Sequence, residues 1–406
     1  MMKTLNLRLV TASYLAGVLL IHAAVFWNVR HMVREGYSDF TIYYCAGTIV
    51  RQGLGRQLYD SGTQFRIQQE FAGDVSVRQG PLPYNHPPFE ALLFLPFTYF
   101  SYPKAFVLWD LVNLAMLAAL PFLLRPHLPQ LRDYSWVLWM LAILAFAPVF
   151  VTLLQGQDAI LLLFLYTLAY VCFKKNNDAG AGVCLALGLF KFHLVLPFVV
   201  LFLLQRRKLL YGFLPAAGVL GLISLLTVGM GAIISYPRYV LFLERHRDLS
   251  AIVPSEMPNL RGILYLLLGP NPHLGAAVLM VSVGIFLIAA WRGRGKETSD
   301  VLDWQFSLAA LATVLVSYHT LAHDLSILLL PMFLITNQLL TRGKLRHWRG
   351  LVIGSMAVLC FSPLQLLLLL RFGRFAFAGW AVLLCMFGIA AQIPRNRAAY
   401  PRSVTA

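Results

Sequence analysis

Asp39 stands in Tyr37-Ser38-Asp39-Phe40, at the head of a polar stretch (30–87) that follows the first long apolar run. A carboxylate partly removed from water holds a proton more readily, so a lone one beside a bilayer is suited to general-base work on a hydroxyl. The simpler reading is that Asp39 or Ser38 caps a helix beginning at Phe40. Lys191 and His193 sit at the centre of the apolar run 180–205, where a lysine is either functional or snorkels to an interface, and a lone histidine is commonly structural. His319 and His323 stand four apart, on one face if their segment is helical. That spacing suits zinc, but no third ligand is apparent, and hydrogen bonding to an anion or to hydroxyls is the alternative. Asp324 would orient His323 or cap the next helix, and Arg261 would meet an anion or anchor a loop at the interface.

These groups need a scaffold, and composition says which. The chain has 406 residues, of which 59% are hydrophobic and 12% charged, with a mean hydropathy of +0.70. Apolar runs of helical length mark an all-α polytopic membrane protein and exclude a β-barrel. The net charge of +16 comes largely from Lys and Arg clusters that obey the positive-inside bias, among them Lys174-Lys175, Arg206-Arg207-Lys208 and Arg292 to Lys296. No basic stripe interleaved with aromatics suggests nucleic acid. Five cysteines without a CxxC pair argue against a disulfide framework or a zinc site. Residues 1–27 mimic a signal peptide, but the run is long enough to span and Phe26-Trp27 is a poor cleavage site, so it reads as a retained first helix entering from the cytoplasm.

Along the chain, the first helix covers 8–28. Residues 40–52 carry apolar groups at helical spacing and read as an amphipathic helix on the membrane surface, ended by Gly53 and Gly55. A second short helix starts after Asp60 or Ser61, with Asp60 as N-cap, and 73–83 reads as loop. Apolar segments recur at 88–100, 104–124, 135–154, 159–173, 180–205, 209–234, 264–291, 304–318, 321–340, 350–370 and 375–393. The run 180–205 has a cationic cluster at each end. A single crossing would put one cluster outside and a lysine at mid-bilayer, at about 2.5–3.5 kcal/mol. A hairpin of two half-length helices, with Lys191-Phe192-His193 at its tip, avoids both. Glu90 and Asp110 read as helix-interior hydrogen-bonding groups. Tyr84 and His86, just before Pro87-Pro88, would contact a ligand or belong to an aromatic belt.

The motifs resemble those of glycosyltransferase family 87, over roughly residues 10–340. Ser38-Asp39-Phe40 with Tyr43-Tyr44-x-Ala46 is similar to that family's first outer loop, and Leu58-Tyr59-Asp60 to its second loop helix. Tyr84-x-His86-Pro87-Pro88 resembles its Tyr-x-Tyr-Pro-Pro, with Trp109 and Asn113 downstream. Gly156-Gln157 opens a Leu-rich helix. Gly188-Leu189-Phe190-Lys191 resembles the family's glycine-to-lysine stretch, and Ser317-Tyr318-His319 to His323-Asp324 its late Ser-Pro…His-Asp motif. There are two departures: His86 replaces an aromatic, and no proline follows Ser317.

The resemblance implies a single domain over 1–406 with the C-type membrane glycosyltransferase fold, eleven to thirteen membrane segments, and a first outer loop at 28–87; residues 341–406 take no assigned role. It implies transfer of a hexose, most often mannose, from a polyprenyl-phosphate donor to a lipid- or glycan-linked acceptor at the outer face of a bacterial inner (plasma) membrane. Asp39 would be the base. Lys191, His193, His319, His323, Asp324 and Arg261 would face the lipid phosphate or sugar, and Tyr43, Tyr84, His86 and Gln157 would line the site. No Asp-x-Asp pair accompanies Asp39, so neither a phosphate-bridging metal nor a cofactor is expected. The rivals are an O-antigen-type polymerase, whose large outer loop would come late, a lipid-glycan flippase, which would show paired halves, and a non-catalytic scaffold.

Overall fold

A computed structural model describes residues 2–72, 82–246, 253–294, 299–341 and 348–393. The expected loop at 73–83 and the basic residues Lys296, Arg342, Lys344, Arg346, Arg395, Arg397 and Arg402 fall largely or wholly outside them. The described residues are predominantly helical, without strands. Five helices are long and apolar enough to cross a membrane, three more candidates are bent pairs, and three are shorter apolar helices. Among the described residues this gives five candidate spans, or eight if each bent pair counts as one, with the three shorter helices below spanning length.

Helix α1 (Met2–Arg34) is the first span. The polar stretch then folds as α2 (Phe40–Arg51) and α3 (Ser61–Gln69). Gly53, at φ 72°, ends α2, and the Asp60 side chain accepts from Thr63 N at 2.7 Å to cap α3. Helix α2 differs from expectation in its environment. Every residue from Phe40 to Ile49 is buried, so it lies inside the protein rather than on a membrane surface. Its cover is aromatic: Tyr43 stacks on Phe94 at 4.5 Å, and Phe40 meets Phe106 edge-on at 5.6 Å.

The run 88–100 is not a span. Helix α4 (Pro88–Phe94) gives way to a 3-10 turn at Leu95–Tyr99 around Pro96, whose missing N–H cannot extend an α-helix. Helix α5 (Tyr102–Leu124) crosses. The run 135–154 breaks into α6 (Trp136–Leu144) and α7 (Ala147–Gln155), bent by 69°. Helix α8 (Ala159–Lys174) follows. The run 264–291 also divides, at Gly269 (φ 67°) and Pro270, into Leu260–Leu268 and Leu274–Gly293.

The hairpin at 180–205 forms as expected. Helix α9 (Asp178–Leu187) and α10 (Phe192–Leu203) meet at a 3-10 turn, Leu189–Lys191. Arg206 closes the base on Asp178 at 2.7 Å, so the two cationic ends lie together. Helix α9 crosses α11 (Leu210–Arg245) through glycines: a Cβ on Gly212 would lie 1.9 Å from Ala179 O, and one on Gly182 2.1 Å from Leu209 O.

Helix α8 separates two polar layers. At its C-terminal end Lys174 pairs with Asp303 at 2.5 Å, and Asp303 also accepts from Tyr170 and Gln338, each at 2.8 Å. At its N-terminal end lies Asp158. The 16 residues of α8 put these layers about 24 Å apart at 1.5 Å per residue. Between them an aromatic core runs through Phe173, Phe198, Phe202 and Phe306, with centroids 4.7–4.9 Å apart.

Gly212→Val is expected to force α9 and α11 apart and to lower stability by about 1–3 kcal/mol, the range for overpacking. A denaturation midpoint in detergent equal to that of the native chain would refute the close crossing.

Candidate active site

The sharp turn between α7 and α8 builds the centre of the site. Gly156 adopts the left-handed conformation (φ 61°), and a Cβ there would sit 2.8 Å from both Phe106 and Phe40. Only glycine allows the turn to press against these rings. The turn delivers Gln157 and Asp158 to opposite sides of one junction.

Gln157 binds Asp39. Its Nε2 donates to Asp39 Oδ2 at 2.8 Å, while its Oε1 accepts from the Tyr43 hydroxyl at 2.6 Å. Tyr43 is fully buried, and burial raises its hydroxyl well above the usual phenol range, so it stays protonated and donates. That fixes the amide: oxygen toward Tyr43, NH2 toward the acceptor-only carboxylate. The Trp109 indole donates to Gln157 O at 3.3 Å. Asp39 itself has helical φ/ψ (−63°, −20°) and its side chain makes no capping bond, so the capping alternative does not hold. Its backbone N–H donates to Gln155 Oε1 at 3.2 Å. Asp39 is half-buried, whereas Ser38 is buried and bonds the Tyr102 hydroxyl at 2.7 Å.

Asp158 binds Lys191. The Lys191 ammonium, 3% exposed at the hairpin tip, lies 2.9 Å from Asp158 Oδ1 and 2.9 Å from Asp324 Oδ1. Asp324 Oδ2 accepts from Leu321 N at 2.9 Å, closing the turn before it rather than capping the helix after it. His323 Nε2 lies 3.5 Å from Asp324 Oδ1. On the other flank, His86 Nδ1 lies 2.8 Å from Glu90 Oε2 and 3.9 Å from Asp158 Oδ2. Burial pushes the His86 imidazole down to about 4, which leaves it neutral at pH 7. Its ring stands edge-on to Tyr43 at 5.2 Å and stacks on Tyr84 at 5.7 Å.

Thus Asp39, Tyr43 and Gln157 form one group, and His86, Lys191, His323 and Asp324 another, joined by the peptide bond between Gln157 and Asp158. Tyr84 is fully buried and structural in its contacts: its N–H donates to Gln64 and its hydroxyl to Pro87 O at 2.9 Å. His319 and His323 do not share a helical face. Residues 317–321 are irregular and His323 opens a 3-10 turn, so the four-residue spacing has no helix to act through. His319 instead approaches His193, with ring centroids 6.2 Å apart. Arg261 is 2% exposed, pairs with Glu244 through both terminal nitrogens and lies 4.2 Å above the Tyr318 ring. It lines a separate cavity of about 480 Å³ with Asn271 and Tyr318.

Two members of the cluster escaped the reading of the sequence. Asp158 precedes a Leu-rich helix, where an aspartate looks like a cap, yet its side chain makes no capping bond. Glu90, read as a helix-interior group, is 1% exposed and faces His86. The signal that could have found them is Lys191: an ammonium buried in an apolar hairpin requires carboxylates from elsewhere.

Removing that ammonium strands two buried carboxylates. Lys191→Met is expected to destabilise the fold by about 3–5 kcal/mol, and the added change Asp324→Asn to recover part of it. Equal unfolding midpoints for native chain and Lys191→Met would show that the ion pairs contribute nothing.

A family model described as glycosyltransferase family 87 matches residues 84–318. That span contains Tyr84, His86, Glu90, Gln157, Asp158, Lys191, His193 and Arg261; Asp39, His319, His323 and Asp324 flank it. No curated protein and no solved structure matches the chain. The matched span exceeds half of the 406 residues, and the apolar helices agree with it: this multi-pass membrane protein belongs to glycosyltransferase family 87.

Proposed function

We propose that this glycosyltransferase moves a hexose, in the first instance mannose, from a polyprenyl-phosphate donor to a lipid- or glycan-linked acceptor at the outer face of a bacterial plasma membrane. The observation that carries this reading is the state of Asp39. It is half-buried, free of any capping duty and oriented by Gln157, one residue from a buried ionic cluster. Asp39 takes the acceptor proton. The acceptor oxygen bonds the anomeric carbon as that carbon's bond to the phosphate oxygen breaks, and the electron pair leaves with the lipid phosphate. One base suffices for such a displacement, which inverts the anomeric centre.

The placement across the membrane rests on charge. Lys174 and Arg206 lie in one layer, the site lies in the other about 24 Å away, and the positive-inside bias assigns the first to the cytoplasm. Lys191 is shared by two carboxylates and therefore holds Asp158 and Asp324 in place instead of gripping phosphate alone. His323 and His319, at the edge of that cluster, are the donors offered to the phosphate, with His193 beside them. Arg261 and Tyr84, already partnered, support the walls.

The test is transfer from radiolabelled polyprenyl-phosphate mannose by the purified chain in detergent. Asp39→Asn is expected to lose about 10²–10⁴-fold in turnover, the usual contribution of a general base, with its unfolding midpoint unchanged. Equal turnover would remove Asp39 as the base, and failure with every lipid-phosphate hexose would remove the donor class.

A further inference from the structure

The cluster beside Lys191 gathers three buried carboxyl groups around one ammonium. Glu90, Asp158 and Asp324 are each at most 1% exposed, and among the described residues Lys191 is the cation paired with Asp158 and Asp324. Uncompensated carboxylates at such depth are strongly unfavourable. Their geometry is unusual as well. His86 Nδ1 and Glu90 Oε2 approach to 2.8 Å, yet neither Glu90 oxygen has a hydrogen-bond partner. The two groups are close without being aligned on each other. Asp158 divides its oxygens, Oδ1 toward Lys191 and Oδ2 toward His86.

We propose that His86, Glu90 and Asp158 form a site for a divalent first-row cation of the Mn2+ or Zn2+ type. One ligand atom from each lies within 4.8 Å of the other two. Metal–ligand bonds of about 2 Å set donor atoms about 3–4 Å apart around one ion, so small side-chain adjustments complete the set. Imidazole with two carboxylates suits these metals, and three protein ligands leave positions open. The supporting contacts are in place. Lys191 holds the far oxygen of Asp158, and the neighbouring Gln157 fixes Asp39. The ion's charge offsets that of the carboxylates it binds. Its open positions fit phosphate oxygens; that assignment rests on the donor proposed above, whereas the metal site does not.

The experiment uses the full chain in detergent, stripped with a chelator and titrated separately with Mn2+ and Zn2+. Bound Mn2+ is read by loss of its free electron paramagnetic resonance signal, and Zn2+ by metal analysis after desalting. One ion per chain is expected, lost in His86→Phe and in Glu90→Gln, and retained in Asp110→Asn, a carboxylate outside the cluster. Unfolding midpoints of the variants separate loss of the ion from loss of the fold. No stoichiometric binding by the native chain would overturn the site, Glu90 and Asp158 then sharing a proton in its place; so would equal binding by folded His86→Phe and Glu90→Gln. Binding with no transfer from any lipid-phosphate hexose would sink the donor reading alone, and full transfer by the chelated, ion-free chain would sink the assignment of the ion to phosphate.

Discussion

The fold turns on one buried ammonium. Lys191 sits at the tip of a broken hairpin and reaches carboxylates from two other parts of the chain, Asp158 at the α7–α8 turn and Asp324 before the helix Leu329–Leu340. Neither carboxylate nor ammonium is tolerable there alone, because each loses its water and these ion pairs are what offsets the loss of charge solvation. The three segments are therefore held in register by charge where apolar packing would let them slide. The hairpin exists to deliver that ammonium: its base is tied by Arg206 to Asp178 and its flank is pressed on α11 through Gly182 and Gly212.

How far the sequence could be read follows from the range of the interactions involved. The hairpin was legible because two cationic clusters bracket an apolar run, and one membrane-sided rule decides between a crossing and a return. Helices α2 and α3 were legible from local spacing and from Asp60, whose capping bond reaches only three residues. The errors came where a local rule met a proline or a tertiary contact. Pro96 cuts the run 88–100, and Gly269 with Pro270 cuts 264–291. Residues 317–321 lack the helical period that would pair His319 with His323. Helix α2 shows apolar spacing, but nothing in that spacing says whether lipid or protein covers it; Phe94 and Phe106 do.

The site was legible in its outline and hidden in its chemistry. Asp39 drew notice as an isolated acid, and its fixing by Gln157 joins residues more than a hundred positions apart. Asp158 and Glu90 hid behind ordinary local roles. An aspartate before a helix resembles a cap, and a glutamate within an apolar run resembles a satisfied interior group. Their place in the cluster appears only when Lys191 and His86, from separate elements, come within contact distance of them.

The amide of Gln157 has a stereochemical consequence. Because Tyr43 and Trp109 immobilise that residue, Asp39 Oδ2 has one of its acceptor sites occupied from inside. Under the proposed function, Oδ1 is the oxygen that Gln157 leaves open, and the direction of its lone pairs favours one acceptor hydroxyl over its neighbours. The choice among several chemically similar hydroxyls would then be made by the angle of a carboxylate before any contact reads the rest of the acceptor.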